Sequence, residues 1–305
     1  MTDPRGIRNE RLGLQAASIA LLAALLWGGN AVFIKMGLQG VPPMASAVIR
    51  FVLGTAVVLS VVLVTGISLR LRRDQWPGMA LLTLIFFSQI SLLHIGTDYT
   101  TASRSTVMIC AHPIFVAVGA HFFVPGDRLN GGRLLGLVLA FAGIVLVFGD
   151  ALTLQASLYG DALVLASAVL LGMRQVVLKR LVQDFGPYPV LFWQAVPTLP
   201  VFALLSLWFE RDATYVWSGP VIGALLYQGL VVAGLCFIIW VSLMRRHSAS
   251  RLGAFSFATP ICGVLLSAWL LDEELTGMLL VSVALVAVGI TVANRADADD
   301  RGAAG

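Results

Sequence analysis

An all-α membrane protein, with ten transmembrane helices in two inverted five-helix repeats, follows from three features of this chain. The residues are 58% hydrophobic and only 12% charged over 305 positions. With a mean hydropathy of +0.90, the chain lies well outside the range of soluble domains. The apolar residues form runs long enough to cross a bilayer, which takes about 17 to 25 residues per helix. The order of small and polar residues in the first half also returns in the second.

The ten predicted spans are 16–36, 44–66, 77–95, 103–125, 132–149, 158–178, 188–209, 218–244, 252–271 and 275–294. The first is too long for a cleaved leader and ends in WGGNAVFIK, Trp27 to Lys35, rather than at a small-residue cleavage site. Trp27 and Asn30 lie three apart and so share a helix face, while Gly28 and Gly29 admit a close neighbour. That face either lines a cavity or makes one interhelical amide bond. The second span starts at Pro42-Pro43 and carries Arg50 about 10 Å deep, at 1.5 Å per residue. It can snorkel outward, bond to carbonyls or meet a substrate. Span three holds Ser88, Gln89 and, toward its outer end, His94.

Span four contains Ala111-His112-Pro113 and His121, and it ends at Pro125-Gly126-Asp127. His112 and His121 are nine apart, on opposite faces, which argues against a shared metal. The fifth span completes the first half. Near the middle of span six, Arg174 occupies the slot equivalent to Asn30, with Gln175 beside it. A buried arginine there needs either polar solvation from residues such as Gln175 and Gln194 or an anionic substrate group. Gly186-Pro187 opens span seven, where Gln194 is the counterpart of Arg50. Span eight follows Gly219-Pro220 and holds Tyr227, Gln228 and Trp240, an aromatic and amide mixture suited either to an amphipathic small molecule or to ordinary packing. Pro260 in span nine and Pro113 in span four occupy equivalent places and are expected as hinges or as static kinks. Span ten closes the chain.

The repeat pairs Gly28 with Gly172, Lys35 with Lys179 and Pro43 with Pro187 at an offset of 144. The tripeptide Ala-Ser-Arg at 102–104 and 249–251, and Pro113 with Pro260, follow at 147; Gly131, Gly143 and Ile144 match Gly277, Gly289 and Ile290 at 146. Five spans per copy is odd, so the second copy crosses upside down, a pattern of secondary transporters with a midplane substrate site. Counting loops alternately, fifteen Lys and Arg fall on one side and three (Lys35, Arg104, Arg211) on the other, which places both termini in the cytoplasm. The division expected is a cytoplasmic segment 1–15, repeats 16–149 and 150–294, and a cytoplasmic tail 295–305.

These motifs together resemble a known family. Trp-Gly-x-Asn in the first span, Pro-x-x-x-Ala-x-x-Arg-Phe from Pro43 to Phe51, Ala-x-Pro in the fourth and ninth spans, and the acidic turn Asp272-Glu273-Glu274 before a glycine-bearing helix are similar to the EamA-type drug/metabolite transporter superfamily. The first copy departs from this pattern, with Pro125-Gly126-Asp127 at the acidic turn, which touches only the local cap of the fifth span. The resemblance implies export or exchange of amino-acid-like or amphipathic metabolites across the inner membrane.

Substrate contacts are expected from Trp27, Asn30, Arg50, Gln89, Arg174, Gln175, Gln194, Tyr227, Gln228 and Trp240. No cofactor, metal or nucleic acid is expected; the partners are a small-molecule substrate, the lipid bilayer and a second copy in a homodimer. Cys110, Cys236 and Cys262 have no metal-ligand spacing and read as small core residues. A membrane-embedded lipid-modifying enzyme is the rival reading, but the spans lack the acid, base and nucleophile constellation it needs. A passive channel is the other. With the carboxylates at span edges, facilitated diffusion or exchange is expected rather than obligatory proton coupling.

Overall fold

In a computed structural model, residues 13–123, 131–153, 158–247, 252 and 254–303 are described, and among them the backbone is helical without strands. Arg5, Arg8, Arg11, Asp127, Arg128 and Arg251 lie outside the described residues, as do the side chains of His121 and Arg133.

Among the described residues, six helices are long and apolar enough to cross a membrane. They are α1 (Leu14–Leu38), α2 (Pro43–Thr65), α3 (Trp76–Tyr99, entered through a 3-10 turn), α6 (Leu158–Phe185), α7 (Pro187–Phe209) and α8 (Gly219–Arg246). Four further apolar helices are α4 (Ala102–Ile109 continued by His112–Phe123), α5 (Gly131–Thr153), α9 (Ala258–Leu271) and α10 (Gly277–Ala303). Their outer faces are apolar: Leu63, Leu204 and Trp269 are 73%, 67% and 76% exposed, as suits side chains that meet lipid.

Several helices are interrupted, and each freed backbone group that can be followed finds a partner, as lipid requires. Pro113 cannot donate to the carbonyl four residues back, so α4 breaks at Cys110–Ala111, and His112 Nδ1 takes the Ile109 carbonyl at 3.1 Å. Pro197 breaks α7 in the same way, and the Thr83 hydroxyl donates to the vacated Trp193 carbonyl at 3.0 Å. Pro260 sits in the first turn of α9, just after a 3-10 turn at Ala254–Phe257, where its missing N–H costs nothing. Helix α8 widens into a π-helix over Tyr227–Cys236.

The two halves of the chain interleave. Helix α1 packs on α9, α2 on α8, α3 on α6 and α5 on α10. The last contact is backbone to backbone: a Cβ on Gly136 would stand 2.6 Å from the Gly289 carbonyl, and one on Gly289 equally close to that of Gly136. One apolar core joins Phe51, Phe86, Leu191 and Phe202; a second joins Ile34, Met108, Ile144 and Val264.

Polar contacts tie the helix ends. Lys35 near the end of α1 donates to the Thr97 and Asp98 carbonyls at the end of α3, at 3.1 and 2.6 Å. Its repeat counterpart Lys179 on α6 donates to the Met244 and His247 carbonyls at the end of α8, at 2.7 and 3.4 Å. Both bind the negative end of a helix dipole. The N-terminus of α2 has no side-chain cap of its own, and Glu210 from the end of α7 accepts the N–H groups of Met44 and Ala45 at 2.7 and 3.0 Å. Glu273, in the turn after α9, accepts those of Ala102 and Ser103 at 2.6 and 2.9 Å, and the Ser103 hydroxyl as well.

One expectation needs correction. Arg104, counted above with the loop cations, lies in the first turn of α4 and is 3% exposed. It pairs with Asp161 of α6, which is 0% exposed and also accepts from the Thr100 hydroxyl at 2.6 Å, while Arg104 Nη2 donates to the Val147 carbonyl at 2.6 Å. A guanidinium this close to a helix end stays buried because its counter-charge is built into a neighbouring helix.

Candidate functional site

The WGGN stretch is where α1 meets the second half of the chain. Gly28 lets α9 close on it: a Cβ there would stand 2.8 Å from Cys262 Cβ and 3.0 Å from the Thr259 carbonyl. The carbonyls just before it accept from the other half: Ala24 from the Thr259 hydroxyl at 3.1 Å, Leu25 from the Cys262 thiol at 3.4 Å, and Leu26 from the Tyr227 hydroxyl at 2.6 Å. α1 is interrupted at Gly29, and Asn30 restarts it. Trp27 packs against Phe237 and Trp240 of α8, ring centroids 5.7 and 5.3 Å apart.

Behind this junction lies a cavity that is partly open to solvent. Trp27, Asn30, Arg50, Gln89, Arg174, Gln175 and Trp240 all line it, seven of the ten side chains expected at a binding site. They come from α1, α2, α3, α6 and α8, and Thr106 and His112 of α4 and Thr259 of α9 join them. The wall is otherwise aliphatic and aromatic, through Leu93, Leu171 and Phe237 among others.

The other three lie elsewhere. The π-helical stretch of α8 carries Tyr227 and Gln228 toward α1, where Tyr227 holds the Leu26 carbonyl and Gln228 Nε2 donates to the Phe33 carbonyl at 2.7 Å. They brace the interrupted helix. Gln194 is 1% exposed and faces a small hollow between Phe51, Phe86 and Leu191. Neither expected hinge, Pro113 nor Pro260, lines the cavity, although each stands within a few residues of a wall residue, His112 and Thr259.

Two guanidinium groups dominate the electrostatics. Arg174 is 5% exposed and lies between the rings of Phe86 and Phe237, 4.8 and 5.2 Å from their centroids. Its Nη1 donates to Gln89 Oε1 at 3.1 Å; Gln89 Nε2 donates to the Ser167 hydroxyl at 3.0 Å, and that hydroxyl donates to the Gln89 carbonyl at 2.9 Å. This relay fixes the Gln89 amide with its oxygen toward the arginine. Arg50 is 1% exposed, over the ring of Phe51 at 5.3 Å. Nε and Nη1 of Arg50, Nε of Arg174 and Oδ1 of Asn30 have no hydrogen-bond partner among the described residues. Among the described residues, no Asp or Glu lines the cavity.

Comparison with known proteins identifies the family and the fold. The model of the EamA-like transporter family matches residues 14–149 and again 158–295, once in each half. The chain is 31% identical over 288 residues to a protein of Salmonella typhimurium named "Probable amino-acid metabolite efflux pump", with 90% of this chain and 93% of that one covered. It is 28% identical over 284 residues to the Escherichia coli protein of the same name, covering 90% and 93%. Against "Uncharacterized transporter YoaV" of Bacillus subtilis it is 22% identical over 269 residues, covering 87% and 92%. A solved crystal structure shares the fold with a TM-score of 0.70 at 24% identity, over 92% of this chain and 98% of that one.

Proposed function

The chain belongs to the EamA-like transporter family of the drug/metabolite transporter superfamily and is a multi-pass membrane transporter, and from that premise we propose how it works. It moves small organic metabolites across the inner membrane as an exporter or exchanger, by alternating access, along a path between two inverted five-helix halves. Ten helices span the bilayer, with both termini in the cytoplasm.

The cavity carries this reading. It is walled by both halves, by Trp27, Asn30, Arg50 and Gln89 from the first and Arg174, Gln175 and Trp240 from the second, so a relative movement of the halves remakes the site. The inverted relation is supported by Lys35 and Lys179, which make the same contact to the third helix of their own half. It is supported again where the start of α6 meets the end of α3, through Asp161 and Thr100. Lys35, Glu210, Glu273 and the Arg104–Asp161 pair gather at one end of the bundle, and none of them lines the cavity. That end is latched while the cavity lies deeper. Efflux is favoured by the names of the Escherichia coli and Salmonella relatives.

Without a carboxylate in the described cavity wall, the carrier runs by facilitated diffusion or exchange. The purified protein in liposomes tests this. Substrates found by an overexpression tolerance and efflux screen should equilibrate without a pH gradient, and preloaded substrate should accelerate uptake. Flux that never saturates and shows no counterflow would make the protein a channel; chemically altered substrate would make it an enzyme. Accumulation driven by a pH gradient and lost in His112→Ala would overturn the coupling.

A further inference from the structure

We infer that the cavity selects an organic carboxylate that has an apolar body and no ammonium group, held by Arg50 and Arg174. Neutral hydroxy or amide-bearing acids fit it, and zwitterionic amino acids do not.

The argument is one of charge balance in a dry place. Two guanidinium groups, 1% and 5% exposed, face one cavity, and each keeps at least one N–H without an acceptor among the described residues. Buried donors are paired in nearly all proteins, and buried cations almost always have a counter-charge. This chain shows that rule at work elsewhere, where Arg104 is buried against Asp161. At the cavity, the Gln89 amide oxygen gives Arg174 one neutral acceptor, and no Asp or Glu among the described residues joins it. The missing partner is an anion that comes and goes. Guanidinium matches a planar carboxylate through two parallel hydrogen bonds, the strongest form of that contact.

An α-ammonium group has no comparable place. It would enter a site that already holds two positive charges, with no carboxylate among the described wall residues to receive it. Among the described wall residues, Asn30 Oδ1 is a buried acceptor without a partner, and being neutral it suits a hydroxyl or an amide N–H. The rest of the wall, with Trp27, Trp240, Phe237 and Leu93, favours an aromatic or branched aliphatic body.

This inference rests on the reading of the cavity as the transport site, and binding separates the two. The purified protein in detergent is titrated with two matched series, and the melting shift gives each affinity. One series is 3-phenyllactate, phenylalanine and phenethylamine; the other is 2-hydroxy-4-methylpentanoate, leucine and isopentylamine. In each the hydroxy acid should bind about tenfold or more tighter than the amino acid, and the amine should not bind.

Arg174→Gln and Arg50→Gln should erase the preference, whereas Arg174→Lys should keep part of it. A purely structural arginine would lower all ligands alike. Amino acids binding as well as the hydroxy acids, or no binding by either hydroxy acid, would overturn the anion site, and the wild-type titration alone decides this. Acid binding with no flux of any ligand in liposomes would refute transport and leave the anion site standing. Flux of amino acids without acid binding would do the reverse.

Discussion

Changing Asp161 to asparagine keeps the shape of the side chain and removes its charge. In the wild type this carboxylate is fully buried, accepts from the Thr100 hydroxyl at 2.6 Å and from Arg104 Nε at 3.3 Å, and pairs with Arg104 Nη2. The amide retains one acceptor and turns its NH2 toward a guanidinium that is 3% exposed, donor against donor. Arg104 keeps the Val147 carbonyl but loses its counter-charge. Breaking a buried pair by removing one partner costs about 3–5 kcal/mol, and Asp161→Asn is expected in that range. Unfolding in mixed micelles of rising dodecyl sulfate fraction, followed by helix signal, measures it. Replacing both partners, Arg104→Met with Asp161→Leu, should return stability to within about 2 kcal/mol of wild type, because an apolar pair carries no desolvation cost. The reasoning fails if Asp161→Asn costs under about 1 kcal/mol, or if the double variant is as unstable as the two single changes summed, since the cycle would then contain no coupling.

The same unfolding assay checks two other contacts. Gly28→Val places a Cβ 3.0 Å from the Thr259 backbone carbonyl, which cannot turn aside, and should cost about 1–3 kcal/mol and reduce flux; an unaffected variant would mean that α1 and α9 do not pack this closely. Glu210→Gln and Glu273→Gln should each lose about 1–2 kcal/mol by weakening charge-assisted caps on α2 and α4, and wild-type stability in both would remove their capping role. For topology, reporters fused after residues 11 and 295 should read cytoplasmic and one near Leu152 external, and opposite readings at the two ends would overturn the inverted halves.

Much of the site was legible because lipid makes polar side chains costly. Trp27, Asn30, Arg50, Gln89, Arg174, Gln175 and Trp240 are polar or aromatic groups inside apolar runs, Trp27 and Asn30 with the family resemblance behind them, and they meet at one cavity. The same argument selected Gln194, Tyr227 and Gln228, which are buried or braced elsewhere. Chemistry says that a polar group must have a partner, and not which way it points. For Tyr227 and Gln228 the direction is set by packing: both stand at the start of the π-helical stretch of α8 and reach the Leu26 and Phe33 carbonyls of α1.

Apolar run lengths, the ordered matches between the halves and the bias of Lys and Arg are properties of the chain that need no coordinates, and they led to the helical membrane class, while the Trp-Gly-x-Asn, Arg-Phe and Ala-x-Pro motifs carried the resemblance to the family. Which charges are latches and which face the cavity was decided only by packing. Arg104 and Arg174 are the same residue type, one beside a loop and one inside a span, and both are buried. One meets Asp161, 57 residues further along the chain, and the other, among the described residues, meets the Gln89 amide and two rings. Whether a buried charge has a protein partner depends on which helices are neighbours. Helix contacts between distant segments set that, and local sequence carries no record of it.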